Sequence, residues 1–185
     1  MQTIYDELVQ AALAAKADHA VIAEVSAIKF VEEFRQACEQ NVCRKYNTNW
    51  VCPPAVGAFA ELKARACRYA HGLLFQTVHQ MKSSFDWQGM MAAKKMHDKV
   101  FRDILAAVRN KHNLRDILPL NAGACEFCAK CSYLDNEPCR FPEEAFASVE
   151  AYGIDVIQLE KACGIPYYNG KNTVSYVGLI LFNPI

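Results

Sequence analysis

The order of apolar segments predicts an α/β fold: a small sheet of about four strands covered by helices, with two cysteine-rich metal-ligand loops. Three observations predict it. Segments of helical period alternate with short apolar runs along the 185 residues. Apolar residues make up 52 % of the chain, enough for a substantial buried core. Nine cysteines, an odd number, cluster with short gaps. In a cytoplasmic chain that reads as metal ligation rather than disulfides. The length fits a single domain over 1–185, with the cysteine-rich loops at about 38–54 and 123–142.

Residues 2–16 read as a helix, with Ile4, Leu8, Ala11 or Ala12, and Ala15 in step. Residues 20–25 are apolar and read as a first strand. Residues 31–40 read as a second helix with Phe34 and Cys38 on one face. A polar loop follows, closed by Pro53-Pro54, which stops regular structure. Residues 56–67 read as a helix and 72–78 as a buried strand. Ser83 or Ser84 is placed to cap the longest helix, about 86–111. Residues 117–120 read as a short strand leading into Gly123. Pro142, Glu143 and Glu144 suit the start of a helix reaching Tyr152-Gly153. Residues 155–162 form another helix, Tyr167-Tyr168-Asn169-Gly170 a turn, and 174–182 a strand. That last strand alternates poorly, which implies burial on both faces.

The chemistry lies in the cysteines. Cys125-x2-Cys128-x2-Cys131 places three thiols on one short loop, and Cys139 follows seven residues on, ahead of Pro142. Bacterial ferredoxins hold [4Fe-4S] clusters with Cys-x2-Cys-x2-Cys-x3-Cys-Pro. The present spacing is a variant of that pattern. Four thiolates suit zinc and iron–sulfur alike by geometry, but structural zinc usually takes paired Cys-x2-Cys knuckles. A third cysteine on one loop therefore favours [4Fe-4S], with zinc the alternative. A second group, Cys38-x4-Cys43-x8-Cys52, precedes the two prolines. The candidate ligands are Cys38, Cys43, Cys52, Cys125, Cys128, Cys131 and Cys139. Seven ligands leave one cluster or two open. Cys67 or Cys163 could supply an eighth, although both sit in helical contexts. An open iron site, a cubane beside a zinc, or an Asp, Glu or His ligand are the other ways to complete the set.

Several further residues have a bland reading beside a functional one. His71 and His79 flank a strand, and His97 lies in an apolar helical stripe; completed strand ends and a core histidine are the favoured readings. Lys94, Lys95, Lys99, Arg102, Arg109, Lys111 and Arg115 make a locally basic stretch. A solvated helix face is the simpler reading, a dock for an acidic electron-transfer partner the sharper one. Glu150 and Asp155 suit either acid–base work or helix ends. Lys130, Arg140 and the Gly123 backbone are placed to offer charge and amides to sulfur.

Other classes lack support. Lys+Arg 20 against Asp+Glu 20 leaves no net charge to attract nucleic acid or a membrane surface. No apolar run reaches the length of a span, and the first residues do not form a secretory signal. No Walker or Rossmann loop and no GxSxG elbow is present. The cysteine spacing also differs from that of radical S-adenosylmethionine enzymes.

The run Asn49-Trp50-Val51-Cys52-Pro53-Pro54-Ala55-Val56-Gly57, the Gly123–Cys131 loop, Pro138-Cys139-Arg140-Phe141-Pro142 and Ser148–Val156 together resemble the predicted metal-binding proteins grouped as DUF2284. The likeness covers nearly the whole chain. One departure is Lys45, where the family leads one to expect glycine. The resemblance implies metal binding, mainly in anaerobic bacteria and archaea, and no particular reaction.

Three functions fit these readings. An iron–sulfur protein passing electrons to a protein partner predicts reversible visible absorbance, an exposed basic surface near a cluster and no large pocket. An enzyme or enzyme subunit binding substrate at an open cluster site predicts a concave pocket lined by the cluster and by His79, His97, Glu150 or Tyr168. A structural zinc protein predicts closed four-thiolate sites.

Overall fold

The computed structural model describes residues 3–111, 114 and 116–183. Gln2 of the first expected helix and Arg115 of the basic stretch lie outside them. Helix α1 (Ile4–Ala14) opens with a reciprocal cap. The Asp6 amide donates to Thr3 Oγ1 at 3.2 Å and the Thr3 amide donates to Asp6 Oδ2 at 2.9 Å. Strand β1 (His19–Glu24), helix α2 (Glu32–Gln36), helix α3 (Phe59–Ala66), strand β2 (His71–Gln80), helix α4 (Trp87–Lys111), strand β3 (Ile117–Leu120), helix α5 (Val156–Ala162) and strand β4 (Thr173–Phe182) follow. The four strands form one sheet in the order β1-β2-β4-β3.

Every pairing in the sheet is antiparallel. The expected strand number and helical cover are met, but alternating helices and strands do not build parallel pairs here. The chain returns through loops and helices to run each strand against its neighbour.

Alternate residues of the central strands face opposite layers. Leu73, Phe75, Ile180 and Phe182 pack with Leu8, Ala12, Phe101, Ile104 and Val108, so α1 and α4 cover one face. Leu74, Leu118, Leu179 and Leu181 pack with Leu62, Ala66, Leu159 and Tyr152 on the other. Burying each of these large side chains contributes about 1.5–3 kcal/mol before the entropy of ordering. Burial on both faces accounts for the poor alternation of β4. Gly178 sits there because a Cβ would collide with the rings of Phe75 and Phe101.

Four local expectations need correction. The helix expected over 31–40 is α2 followed by a 3-10 turn, Ala37–Gln40, ended by Asn41 at φ 53°. The helix over 56–67 starts only at Phe59, because Val56 and Gly57 donate back to Cys52 and Pro54 in a turn. The cap of α4 is Asp86, whose Oδ1 accepts from the Gly89 amide at 2.9 Å; Ser83 accepts from Phe85 instead. No continuous helix runs from Pro142 to Gly153. Two 3-10 turns, Pro142–Glu144 and Glu150–Tyr152, flank an extended stretch. That stretch pairs with Asn121, which donates to Ala147 O at 2.8 Å and accepts from the Val149 amide at 3.0 Å. Backbone pairing beside β3 overrides the helical signal.

Candidate metal centre

Both cysteine segments are irregular, and each is held by long-range bonds. The stretch before the first is fixed by pairing with the chain ahead of α5. Val31 N donates to Gly153 O at 2.7 Å and Asp155 N donates to Lys29 O at 2.9 Å. Arg35, only 9 % exposed, donates from Nη2 to Gly57 O at 2.7 Å, closing the segment as a loop. Inside it, the Asn47 amide donates to Pro53 O at 2.7 Å and buried Asn49 accepts from Val51 N at 3.2 Å.

The two segments meet. Trp50 Nε1 donates to Glu137 O at 3.1 Å, and its ring meets Tyr133 edge-on at 5.0 Å. Tyr133 donates to Asn47 Oδ1 at 2.5 Å. Lys45 lies 3.8 Å from Glu126, so the residue standing in place of the expected glycine reaches across to the second loop.

Cys125, Cys128, Cys131 and Cys139 line one small cavity of about 20 Å³. Asn49, Trp50 and Val51 of the first segment close it, with Phe127 and Phe141 beside them. No charged side chain is among its lining residues. The thiols lie close enough to act on one another. Burial pushes Cys125 up, the Phe127 amide opposes this, and Cys128, Cys131 and Cys139 add to the rise. Cys38 and Cys52 are likewise raised, first by burial; Cys43 raises both, while Arg35 lowers Cys38 and Asn49 lowers Cys52. The seven candidate cysteines thus fall into the two groups read from sequence, Cys38, Cys43 and Cys52 in one and Cys125, Cys128, Cys131 and Cys139 in the other. Among the described residues, no three Cys, His, Asp or Glu side chains are already arranged to hold a metal ion. What is drawn together is a set of donors of one kind, in two neighbourhoods.

The donor chemistry fits a soft metal. Four thiols around an uncharged cavity match the ligand set of iron–sulfur clusters and of structural zinc. Near the first group, Arg35 Nε is buried and has no hydrogen-bond partner among the described residues. A buried guanidinium with a free N–H suits thiolate or sulfide, an anionic acceptor.

The remaining candidates separate clearly. Cys67 is exposed at the end of α3, and Cys163 packs against the core at the end of α5; neither lines the four-cysteine cavity. His71 Nδ1 lies 3.0 Å from Glu24 at a strand end. His79 Nε2 lies 2.9 Å from Thr77 Oγ1, and burial lowers its pKa. His97 is fully buried, with Nδ1 2.8 Å from Thr77 Oγ1 and Nε2 without a hydrogen-bond partner among the described residues. Burial pushes its pKa down to about 3, helped by Lys94. It is a neutral core imidazole, as its place in the apolar stripe suggested. Ser148 accepts from the Ala151 amide at 3.1 Å, Gly153 closes the turn at φ 67°, and Asp155 accepts from Gln158 N at 3.0 Å. These are local structural roles. Glu150, with Glu39, acts on a candidate ligand by raising Cys38. Lys130 is turned to Asp135, and Arg140 donates to Lys130 O.

A second hollow adjoins the cysteine cavity. Lys94, Lys95 and Arg102 of α4 surround a volume of about 240 Å³ with Cys125, and Asp98, Glu126 and Glu144 balance their charge. Arg102 is bound by Asp98 and Glu144. A larger cleft of about 610 Å³ lies between α5, β4 and the 167–169 loop, and reaches Ala37 beside Cys38 and Ala122 before Gly123. Glu150 and Tyr168 line it, but His79, His97 and the candidate cysteines do not, so it is not the cluster-lined pocket expected of an enzyme. Its size goes against the expectation of no large pocket in an electron-transfer protein. Sequence reasoning passed over Arg35, Asn49 and Glu160, whose signal is only a polar residue at an apolar position.

Fold and site define a small protein with an antiparallel sheet, helices on both faces and two cysteine-rich segments packed together. A family model described as "Predicted metal-binding protein (DUF2284)" matches residues 21–182, and the chain belongs to that family. Searches of curated proteins and of solved structures give no match. Among the described residues, no helix is long and apolar enough to cross a membrane.

Proposed function

We propose that the protein carries a [4Fe-4S] cluster on Cys125, Cys128, Cys131 and Cys139 and passes electrons to a protein partner in the cytoplasm, as a single domain. The observation that carries this reading is the one cavity shared by those four thiols, lined by aromatic and amide side chains without charge. The membership of a metal-binding family supports it. When bound, the cluster supplies one-electron chemistry. The chain's own residues do the rest. Trp50, Phe127 and Phe141 line the cavity with apolar rings, and Lys94 and Lys95 stand beside Cys125, in a hollow that Asp98, Glu126 and Glu144 also line, as the contact for an acidic partner. Cys38, Cys43 and Cys52 form a second site beside Arg35, for a second cluster or a zinc.

A second reading has its own observation. The first group has three cysteines, which leaves one position open, and the 610 Å³ cleft reaches the residue next to Cys38. That arrangement suits an enzyme or enzyme subunit whose substrate approaches the first group. The experiment that separates a redox centre from a zinc site is the visible spectrum of protein purified without oxygen. A broad absorption that bleaches on reduction and returns on oxidation supports iron–sulfur; a colourless, zinc-loaded protein rejects it.

A further inference from the structure

The cleft between α5, β4 and the 167–169 loop has a consistent chemistry. Its volume of about 610 Å³ falls in the range of small-molecule sites. Three carboxyl groups line it: Glu150, Asp155 and Glu160. Among its lining residues there is no Lys, Arg or His. Tyr167 and Tyr168 are 59 % and 73 % exposed at its rim, an unusual display of aromatic surface.

Glu160 gives the cleft a fixed polar point. It is only 1 % exposed, and Gln76 Nε2 donates to its Oε1 at 2.5 Å. Gln76 is in turn fixed by Asn169, which donates to its Oε1 at 3.0 Å and to Ser175 Oγ at 2.9 Å. The network crosses β2, α5, the 167–169 loop and β4, so the carboxyl is positioned before any ligand arrives. No cation among the described residues pairs with it. A buried, positioned carboxyl without a counter-ion is costly unless it takes a proton or a cation. The ring faces of tyrosines attract cations as well.

We infer that this cleft is a binding site for small organic amines, the ammonium directed to Glu160 and the apolar body held against Tyr167 and Tyr168. Asp155 and Glu150 add negative potential at the entrance. An anionic metabolite would meet three carboxyls and no compensating cation. The inference names a ligand class for the cleft of the second reading but does not depend on the metal, since none of the seven candidate cysteines lines it. Its failure would leave the metal content unchanged.

The test is calorimetric titration of the metal-replete full chain, near pH 8, with phenethylamine and with hydrocinnamate, a probe of similar size and opposite charge. The expected result is saturable binding of phenethylamine, at least about tenfold tighter than hydrocinnamate. Glu160→Gln, which keeps the shape and an amide for the network, should weaken phenethylamine about tenfold or more. Tyr168→Ala, at an exposed position that the core does not need, should weaken it several-fold and decides the matter if the first variant does not fold. Absence of phenethylamine binding, equal binding of both probes, or full binding in every folded variant overturns the proposal.

Discussion

Trp50 and Glu137 join the two cysteine segments: the indole Nε1 donates to the Glu137 carbonyl at 3.1 Å across 87 residues of chain. The same indole helps close the cavity of the four later cysteines. The first segment therefore has two duties. It carries three thiols of its own, and it covers the other group.

This bond gives a first prediction. Trp50→Phe keeps a ring against Tyr133 but loses the N–H. The folded protein should lose about 0.5–1.5 kcal/mol in denaturant unfolding, because the carbonyl is not deeply buried. The amides around Glu137 should exchange faster. Unchanged stability and unchanged exchange would show that the two segments are not coupled through this residue.

Cys128→Ala should remove the metal of the second group and loosen the loop from Cys125 to Cys139. Cys67→Ala, at an exposed position away from the cavity, should keep full metal. Metal analysis and hydrogen exchange read both. A Cys128→Ala protein with the same metal content and spectrum contradicts the ligand assignment.

Glu160 predicts a pH dependence of stability. Burial pushes its pKa up from the ordinary 4.5 to about 7, with Gln76 opposing. The folded state therefore holds the proton more tightly than the unfolded state. Its contribution is fully present below pH 4.5 and is lost as pH rises to about 7. Glu160→Gln should abolish this decline, gaining on the order of 1–3 kcal/mol relative to the parent near pH 8 and little near pH 4. Parallel pH profiles for the two proteins count against it.

His97 carries the opposite sign. Its pKa falls from 6.5 to about 3, so its contribution is present above 6.5 and is lost as pH falls through that window. The ring nitrogens should still report a neutral imidazole by NMR at about pH 5, where an ordinary histidine is charged. A protonated ring at that pH contradicts the buried placement.

Gly153→Ala should destabilise by about 1–3 kcal/mol. The residue sits at φ 67°, and an added Cβ would lie 2.8 Å from Val31 O. Because Val31 precedes α2, the loss should be accompanied by weaker metal retention in the Cys38, Cys43 and Cys52 group. Equal stability of the variant in denaturant contradicts the packing described.

The sheet was legible because its strands are apolar runs bounded by turns, and α1, α4 and α5 because their periodicity is undisturbed. Strand direction was not, since it depends on how loops return. The stretch 142–153 misled because Pro142 and two glutamates make a good helix start, while pairing with Asn121 holds the following backbone extended. The cysteine spacing separated the two groups of thiols that the structure keeps in two neighbourhoods. It gave no sign that Trp50 would cover the second group or that Lys45 would reach Glu126. Glu160 was invisible for a related reason. A glutamate on a helix normally faces water, and only the register of α5 against β2 puts this one beside Gln76.

The most direct test is the iron, acid-labile sulfide and zinc content per chain of protein purified without oxygen. The proposed function requires iron and sulfide in equal amounts, about four of each for one cubane or about eight for two. Zinc without sulfide would contradict it and leave a structural four-thiolate site in its place.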